Sequence, residues 1–99
     1  LAHTYYSLGN LYGKLKQVEK AREIYKKALE IYETMKNEHE KLAFIHFNLG
    51  GLAANLNEID AAKLHFKASL ENYQKFLGKQ EYANNPNVKK MTDVLKRMK

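Results

Sequence analysis

The sequence predicts an all-α protein, a right-handed superhelical stack of antiparallel helix pairs that is closed by one further helix. Two observations carry this prediction. Apolar residues recur at three-and-four spacing along most of the chain, and the sequence matches itself when it is shifted by 41 residues. The composition agrees, because 44% hydrophobic and 28% charged residues in a chain of 99 are typical of one small globular domain.

Eleven residues of the first half recur in the second half, mostly apolar and small residues. This tandem repeat predicts one domain over residues 1–99, with repeat 1 at 2–42, repeat 2 at 43–83 and a capping helix at about 86–99. Because arrays of this kind usually need about three repeats to bury their faces, we expect the chain to be a piece of a longer protein. The recurring residues of the first half are Ala2, Leu8, Gly9, Leu11, Leu15, Ala21, Lys26, Leu29, Glu30, Tyr32 and Glu40.

Each repeat contains two apolar stripes at helical spacing, which predict two helices per copy. In the first copy the stripes are Tyr5, Leu8, Leu11, Tyr12, Leu15 and then Val18, Ala21, Tyr25, Ala28, Tyr32, Met35. The second copy repeats the longer stripe at Ile59, Ala62, Phe66, Ser69, Tyr73 and Phe76.

Residues typical of helix ends mark the boundaries. Asn37 and Asn57 are predicted N-caps, Gly78 a left-handed C-terminal cap, and Asn85 a cap that places Pro86 in the first turn of the last helix. Gly9 and Gly50 are predicted to lie where the two helices of a pair cross closely, because glycine otherwise weakens a helix.

The spacing of these residues resembles the tetratricopeptide repeat family. The matching positions are Tyr5-x2-Leu8-Gly9-x2-Tyr12 with Ala21-x3-Tyr25 and Ala28 in the first copy, and His46-x2-Leu49-Gly50-x2-Ala53 with Ala62-x3-Phe66 in the second. The period of 41 exceeds the common 34, and the family's second-helix proline is replaced by Glu33 and Gln74. Long repeats with Leu70-Glu71-Asn72-Tyr73 and Leu77-Gly78 before Pro86-Asn87-Val88 look like those of kinesin light chains.

The resemblance implies a non-catalytic protein-interaction module, a scaffold or adaptor that binds a peptide in a concave groove lined by the first helices. Tyr6 and Phe47 occupy equivalent places and suit an apolar peptide side chain, although packing against a neighbouring helix remains open for Phe44 and Phe47. The predicted groove residues are His3, Tyr6, Asn10, Lys14, Phe44, Phe47, Gly51, Asn48, Asn55, Lys89 and Lys90.

Some members of the family hold acidic C-terminal tails in a carboxylate clamp, which Asn10, Asn48 and Lys90 resemble. The match is partial, since Tyr6 and Val94 stand where the clamp has basic residues, and a clamp depends on several charge-assisted hydrogen bonds.

Charge suggests what the partner is. Residues 1–74 carry ten basic and nine acidic side chains, whereas residues 75–99 carry seven and two. We therefore expect a protein or peptide partner of acidic character, with no small-molecule substrate. Two alternatives stay open, a structural or oligomerisation spacer that associates through exposed end helices, and a basic tail that binds nucleic acid or anionic lipid.

Other classes of function find no support. The lack of cysteine excludes disulfides, thiolate zinc sites and a cysteine nucleophile. His3, His39, His46 and His65 lack metal-site spacing, so we expect no enzyme, no metal and no cofactor. Apolar runs are too short to span a bilayer, and we expect a soluble, cytoplasmic protein.

Overall fold

A computed structural model describes residues 1–98 of the chain, and these residues form six helices and no strand. The predicted all-α fold class is confirmed. The chain consists of two compact units, Leu1–Glu38 and the residues from His39 onward. Each unit contains one packed helix pair. The helices are α1 (Ala2–Lys14), α2 (Val18–Glu33), α3 (His39–Asn55), α4 (Ile59–Phe76), α5 (Lys79–Asn84) and α6 (Pro86–Arg97).

The first unit consists of α1 and α2, which cross closely at a glycine. A β-carbon added to Gly9 would lie 2.6 Å from the Tyr25 ring, well inside van der Waals contact. Ala21 and Ala28 on α2 are fully buried, so the small side chains of this helix keep the two backbones near each other. The predicted crossing at Gly9 is confirmed.

The second unit repeats this crossing between α3 and α4. A β-carbon on Gly50 would lie 2.7 Å from the Phe66 ring, which confirms the second predicted crossing. Ser69 takes the place of Ala28, and its buried hydroxyl donates a hydrogen bond of 2.6 Å to the Ala43 carbonyl oxygen. The serine is thereby buried without an unsatisfied polar atom.

Part of the predicted α1 stripe stays outside the core. Leu11 and Leu15 are 51% and 56% exposed, whereas Gly9 is buried. Positions two residues apart on a helix point about 200° apart, so a helix that packs against Gly9 leaves Leu11 uncovered. The apolar stripe of α1 is therefore wider than the face that α2 covers.

The turns inside the two helix pairs have the same backbone conformation. Lys16 and Asn57 are equivalent, and their φ angles of 61° and 63° lie in the left-handed region. In each turn this residue donates to the carbonyl three residues back, and the next residue donates to the carbonyl five residues back. This is the Schellman arrangement that ends a helix, so Asn57 closes α3.

The predicted N-caps at Asn37 and Asn57 are wrong. An N-cap residue has an extended backbone, which the φ of 63° at both asparagines excludes. Glu58, one residue after Asn57, is the N-cap of α4. Asparagine is common both at caps and in left-handed turns, so the residue type alone did not separate the two roles.

The predicted C-terminal cap at Gly78 is also wrong, because its φ of −68° and ψ of 165° are extended. Gly78 is instead the N-cap of α5, a short helix that the sequence did not predict. The Gly78 N–H donates a hydrogen bond of 3.1 Å to the Glu81 carboxylate. The Asn85 cap is confirmed, since its side chain accepts from the N–H groups of Asn87 and Val88. Pro86 then stands in the first turn of α6, as predicted.

The sixth helix contributes to the core of the second unit. Val88 and Met91, on one face of α6, are buried in the same apolar cluster as Phe66 and Tyr73 of α4. The amide of Asn87 donates a hydrogen bond of 3.0 Å to the Tyr73 hydroxyl, which fixes the start of α6 against α4. This packing determines where the basic side chains of α6 lie.

Candidate functional site

Three of the predicted groove residues form a row along α1. Tyr6, Asn10 and Lys14 follow one another at one-turn spacing, so they share one face of the helix. Tyr6 and Asn10 are half-buried, while Lys14 is exposed at the end of α1. His3, one turn before Tyr6, is exposed as well.

The Tyr6 ring and the Asn10 amide both contact Tyr25 of α2. The Tyr6 and Tyr25 ring centroids are 6.4 Å apart with planes at 51°, and the Tyr25 hydroxyl donates a hydrogen bond to Asn10 Oδ1. The nearby Tyr32 has its pKa raised, first by burial and then by the charges of Glu38 and Tyr6. The raised pKa keeps the Tyr32 hydroxyl protonated at neutral pH.

An equivalent row lies along α3 in the second unit, with Phe47, Gly51 and Asn55 at one-turn spacing. The Phe47 ring lies 6.3 Å from that of Phe66 at 50°, almost the geometry of the Tyr6 pair. A β-carbon on Gly51 would meet nothing within 4 Å, so there is open space at Gly51, one turn from Phe47. Asn55 is exposed at the end of α3, and Asn48 is half-buried.

One of the basic residues predicted to line the groove lies over the first residue of this row. Lys90 of α6 places Nζ 6.0 Å from the centroid of the Phe47 ring, at the outer limit of a cation–π contact. Lys89 and Lys90 are both exposed. Phe47 and Lys90, predicted separately from two segments, thus form a joint apolar and basic surface within the second unit.

Phe44 has the contacts of a packing residue. Its ring centroid lies 6.0 Å from Tyr73 and 6.5 Å from Phe76, with the Phe76 ring edge-on at 88°. Edge-on and tilted pairs at this separation stabilise aromatic clusters. Packing was the alternative that the sequence left open for Phe44, and these contacts support it.

Sequence reasoning missed the role of Tyr25 as the partner of Asn10. The signal was present in the repeat, because Asn10 and Tyr25 are replaced together by Gly51 and Phe66 in the second copy. Where the hydroxyl is lost, its acceptor is lost too. A paired replacement of this kind indicates a contact, which the structure shows as the hydrogen bond in the first unit.

Across residues 1–98, no three His, Asp or Glu side chains come together in an arrangement that can hold a metal ion. The same part of the chain contains no helix that is both long and apolar enough to cross a membrane.

Packed helix pairs with a glycine under an aromatic ring define an α-helical repeat protein. A sequence profile of the tetratricopeptide repeat matches residues 1–75, and the chain belongs to the tetratricopeptide repeat family. The family generally mediates protein–protein interaction and is typically non-catalytic, which supports a scaffold or adaptor role. The likeness to kinesin light chains stays a prediction, because the match is to the general family. No curated protein sequence matches the chain.

Proposed function

We propose that the chain is an adaptor that binds a peptide segment with one apolar anchor and acidic flanks. The observation that carries this proposal is the surface formed by Phe47, Gly51 and Lys90 in the second unit. The half-buried ring of Phe47 lies there one turn from the open space at Gly51 and under the ammonium group of the exposed Lys90.

The ring and the space beside it suit an apolar side chain of the peptide. Phe47 is held in place by Phe66, so its ring loses little freedom on binding, and a rigid aromatic residue is a typical anchor point. Without a side chain at Gly51, a peptide can approach the backbone of α3 closely. Asn55, one turn further, can donate to or accept from the peptide backbone.

The charge of this surface suits acidic flanks. Lys89 and Lys90 are exposed, and the eleven predicted groove residues include no aspartate or glutamate. The segment from residue 75 onward holds most of the net charge of +6. An acidic peptide would therefore associate faster than a neutral one, with an advantage that salt reduces.

The experiment measures binding kinetics with labelled peptides that carry a central leucine between acidic, neutral or basic flanks. Phe47→Ala should mainly raise the dissociation rate, because it removes the anchor contact. Lys90→Glu should slow association and reduce its salt dependence, whereas Lys90→Met removes only the charge. Lys67→Glu is the matched control, since Lys67 is exposed on α4 and carries the same charge.

Tyr6→Ala tests the equivalent position on α1. A peptide whose affinity is indifferent to both Tyr6→Ala and Phe47→Ala would contradict the proposal. Equal effects of Lys90→Glu and Lys67→Glu would mean that only net charge matters, and the proposed surface would then be wrong as well.

A further inference from the structure

Two histidines meet across the second helix pair, His46 on α3 and His65 on α4. Their Nδ1 atoms are 3.0 Å apart, and the ring centroids are 5.2 Å apart. The centroid separation exceeds the nitrogen separation by 2.2 Å. This difference is about twice the distance from the centre of an imidazole ring to one of its nitrogens, once for each ring. The two nitrogens therefore lie near the line between the rings and face each other, as in an N–H···N hydrogen bond.

This contact limits how many protons the pair can hold. The hydrogen bond requires one Nδ1 that carries hydrogen and one that presents a lone pair. Two neutral rings satisfy this requirement, and so does a pair with one additional proton. Two imidazolium rings place N–H against N–H and charge against charge at 3.0 Å, which the closed contact cannot accommodate.

Within one turn of each histidine along its own helix, the sequence has no acidic side chain that would favour protonation. Burial lowers the pKa of His46. The neighbours one turn away are uncharged on both helices, and the nearest charged residues along α4, Lys63 and Lys67, are cations. From α6, the cation Lys90 lies over Phe47. The uncharged neighbours are Leu42, Ala43, Leu49 and Gly50 on α3, and Ala61, Ala62, Ala68 and Ser69 on α4.

We propose that His46 and His65 form a proton-sensitive latch, which holds α3 against α4 when the pair is neutral or singly protonated and opens on acidification. The inference does not depend on peptide binding, because it concerns the closure of the helix pair. It assigns a role to two side chains that the interaction surface does not use.

The direction of the effect follows from proton binding in the two states. In the unfolded chain both rings titrate near pH 6.5 and take up two protons below it, whereas the closed pair takes up fewer. Stability is therefore full above about pH 6.5 and falls as the pH drops below that value. Well below pH 6.5, each excluded proton raises the unfolding equilibrium constant about tenfold for every further pH unit of acidification.

The first unit provides an internal comparison. Tyr5 and Ile24 occupy the places of His46 and His65 in the first helix pair, so that pair has no latch. Acidification should open α3–α4 while leaving the contact between α1 and α2 unchanged. The double variant His46→Tyr/His65→Ile gives the second copy the residues of the first.

The test measures urea unfolding of the full chain between pH 7.5 and 5.5, followed by NMR signals from each unit. For the natural sequence we expect the unfolding constant of the second unit to rise about fivefold from pH 6.5 to 5.5 for one excluded proton. The double variant should change less than twofold, and the control His3→Gln, which alters an exposed histidine, should behave like the natural sequence. An equal pH dependence in the double variant would overturn the proposal.

A second measurement needs no variant and covers the case in which the double variant fails to fold. The ring signals of the natural chain should titrate in two separated steps, because the two protons compete for one contact. Independent titration of both rings near pH 6.5 would overturn the latch.

Discussion

The two adjacent glycines of α3 differ in the space available for a side chain. A β-carbon at Gly50 would meet the Phe66 ring at 2.7 Å, while one at Gly51 would meet nothing within 4 Å. Gly50 is thus needed for the approach of two helices, and Gly51 costs helix propensity without any such contact.

These two positions give a matched pair of substitutions. Gly50→Ala should destabilise the chain by about 1–3 kcal/mol, since the ring must move in a packed core. Gly51→Ala should stabilise it by up to ~1 kcal/mol, because alanine favours the helix. Urea unfolding followed by circular dichroism measures both. Two variants with the same midpoint would refute the helix crossing at Gly50.

The hydrogen bond from Tyr25 to Asn10 gives a second prediction at this scale. Tyr25→Phe should cost about 0.5–1.5 kcal/mol, because it removes the hydroxyl and leaves the Asn10 oxygen without that donor. The double variant Tyr25→Phe/Asn10→Gly reproduces the second copy, and its cost should be less than the sum of the single variants.

The control for these single and double variants is Phe66→Tyr. It adds a hydroxyl in the second copy, where Gly51 replaces Asn10 and offers no side-chain acceptor. It should give no gain in unfolding free energy. If the changes in unfolding free energy of the two single variants add up to that of the double variant, the hydrogen bond contributes nothing to stability.

Among the elements, the turns between paired helices carry backbone strain at one residue. Lys16 is a left-handed residue with a β-carbon, at a place where glycine or asparagine is usual. The equivalent Asn57 tolerates this conformation better, since its short polar side chain can hydrogen-bond locally.

Replacement of Lys16 tests this difference. Lys16→Gly should stabilise the first helix pair by about 0.5–1 kcal/mol, the relief of left-handed strain less the larger chain entropy of glycine. Asn57→Gly should change the unfolding free energy less. Thermal and urea unfolding measure both variants, and a loss of stability in Lys16→Gly would contradict the strain.

The elements also show which features local sequence predicts. The predicted stripes of α2 and α4 contain all the buried residues of these helices, because one face of each helix must pack against a neighbour. Met35 and Ile59, at the ends of the stripes, are exposed. The turns were mistaken at Asn37, Asn57 and Gly78, because asparagine and glycine serve left-handed turns and helix caps alike.

For the candidate site as well, local sequence predicts some features and misses others. Helical spacing alone predicts the two rows on α1 and α3. The contact between Phe47 and Lys90 depends on how α6 packs against α4, and the latch histidines meet only because α3 and α4 pair in one register. Such contacts arise from packing between helices, so spacing within one helix does not reveal them.

For the whole molecule, two exposed leucines at the C-terminal end of α1 bear on association. Leu11 and Leu15 lie one turn apart and are about half exposed, so they form a small apolar patch. We expect weak association at high concentration that the double variant Leu11→Gln/Leu15→Gln reduces, as measured by sedimentation. Leu64→Gln is the control, because Leu64 is 68% exposed on another helix. An equal effect of the control would contradict a role for the α1 patch.

The bond between Asn10 and Tyr25 has a consequence for how the two copies can diverge. A single change at either position gives up the bond, whereas the joint change yields the glycine and phenylalanine of the second copy. The partners are fifteen positions apart in the sequence, yet the hydrogen bond makes their two side chains one unit of structure. A count of identities between the copies therefore records two differences that concern one physical interaction.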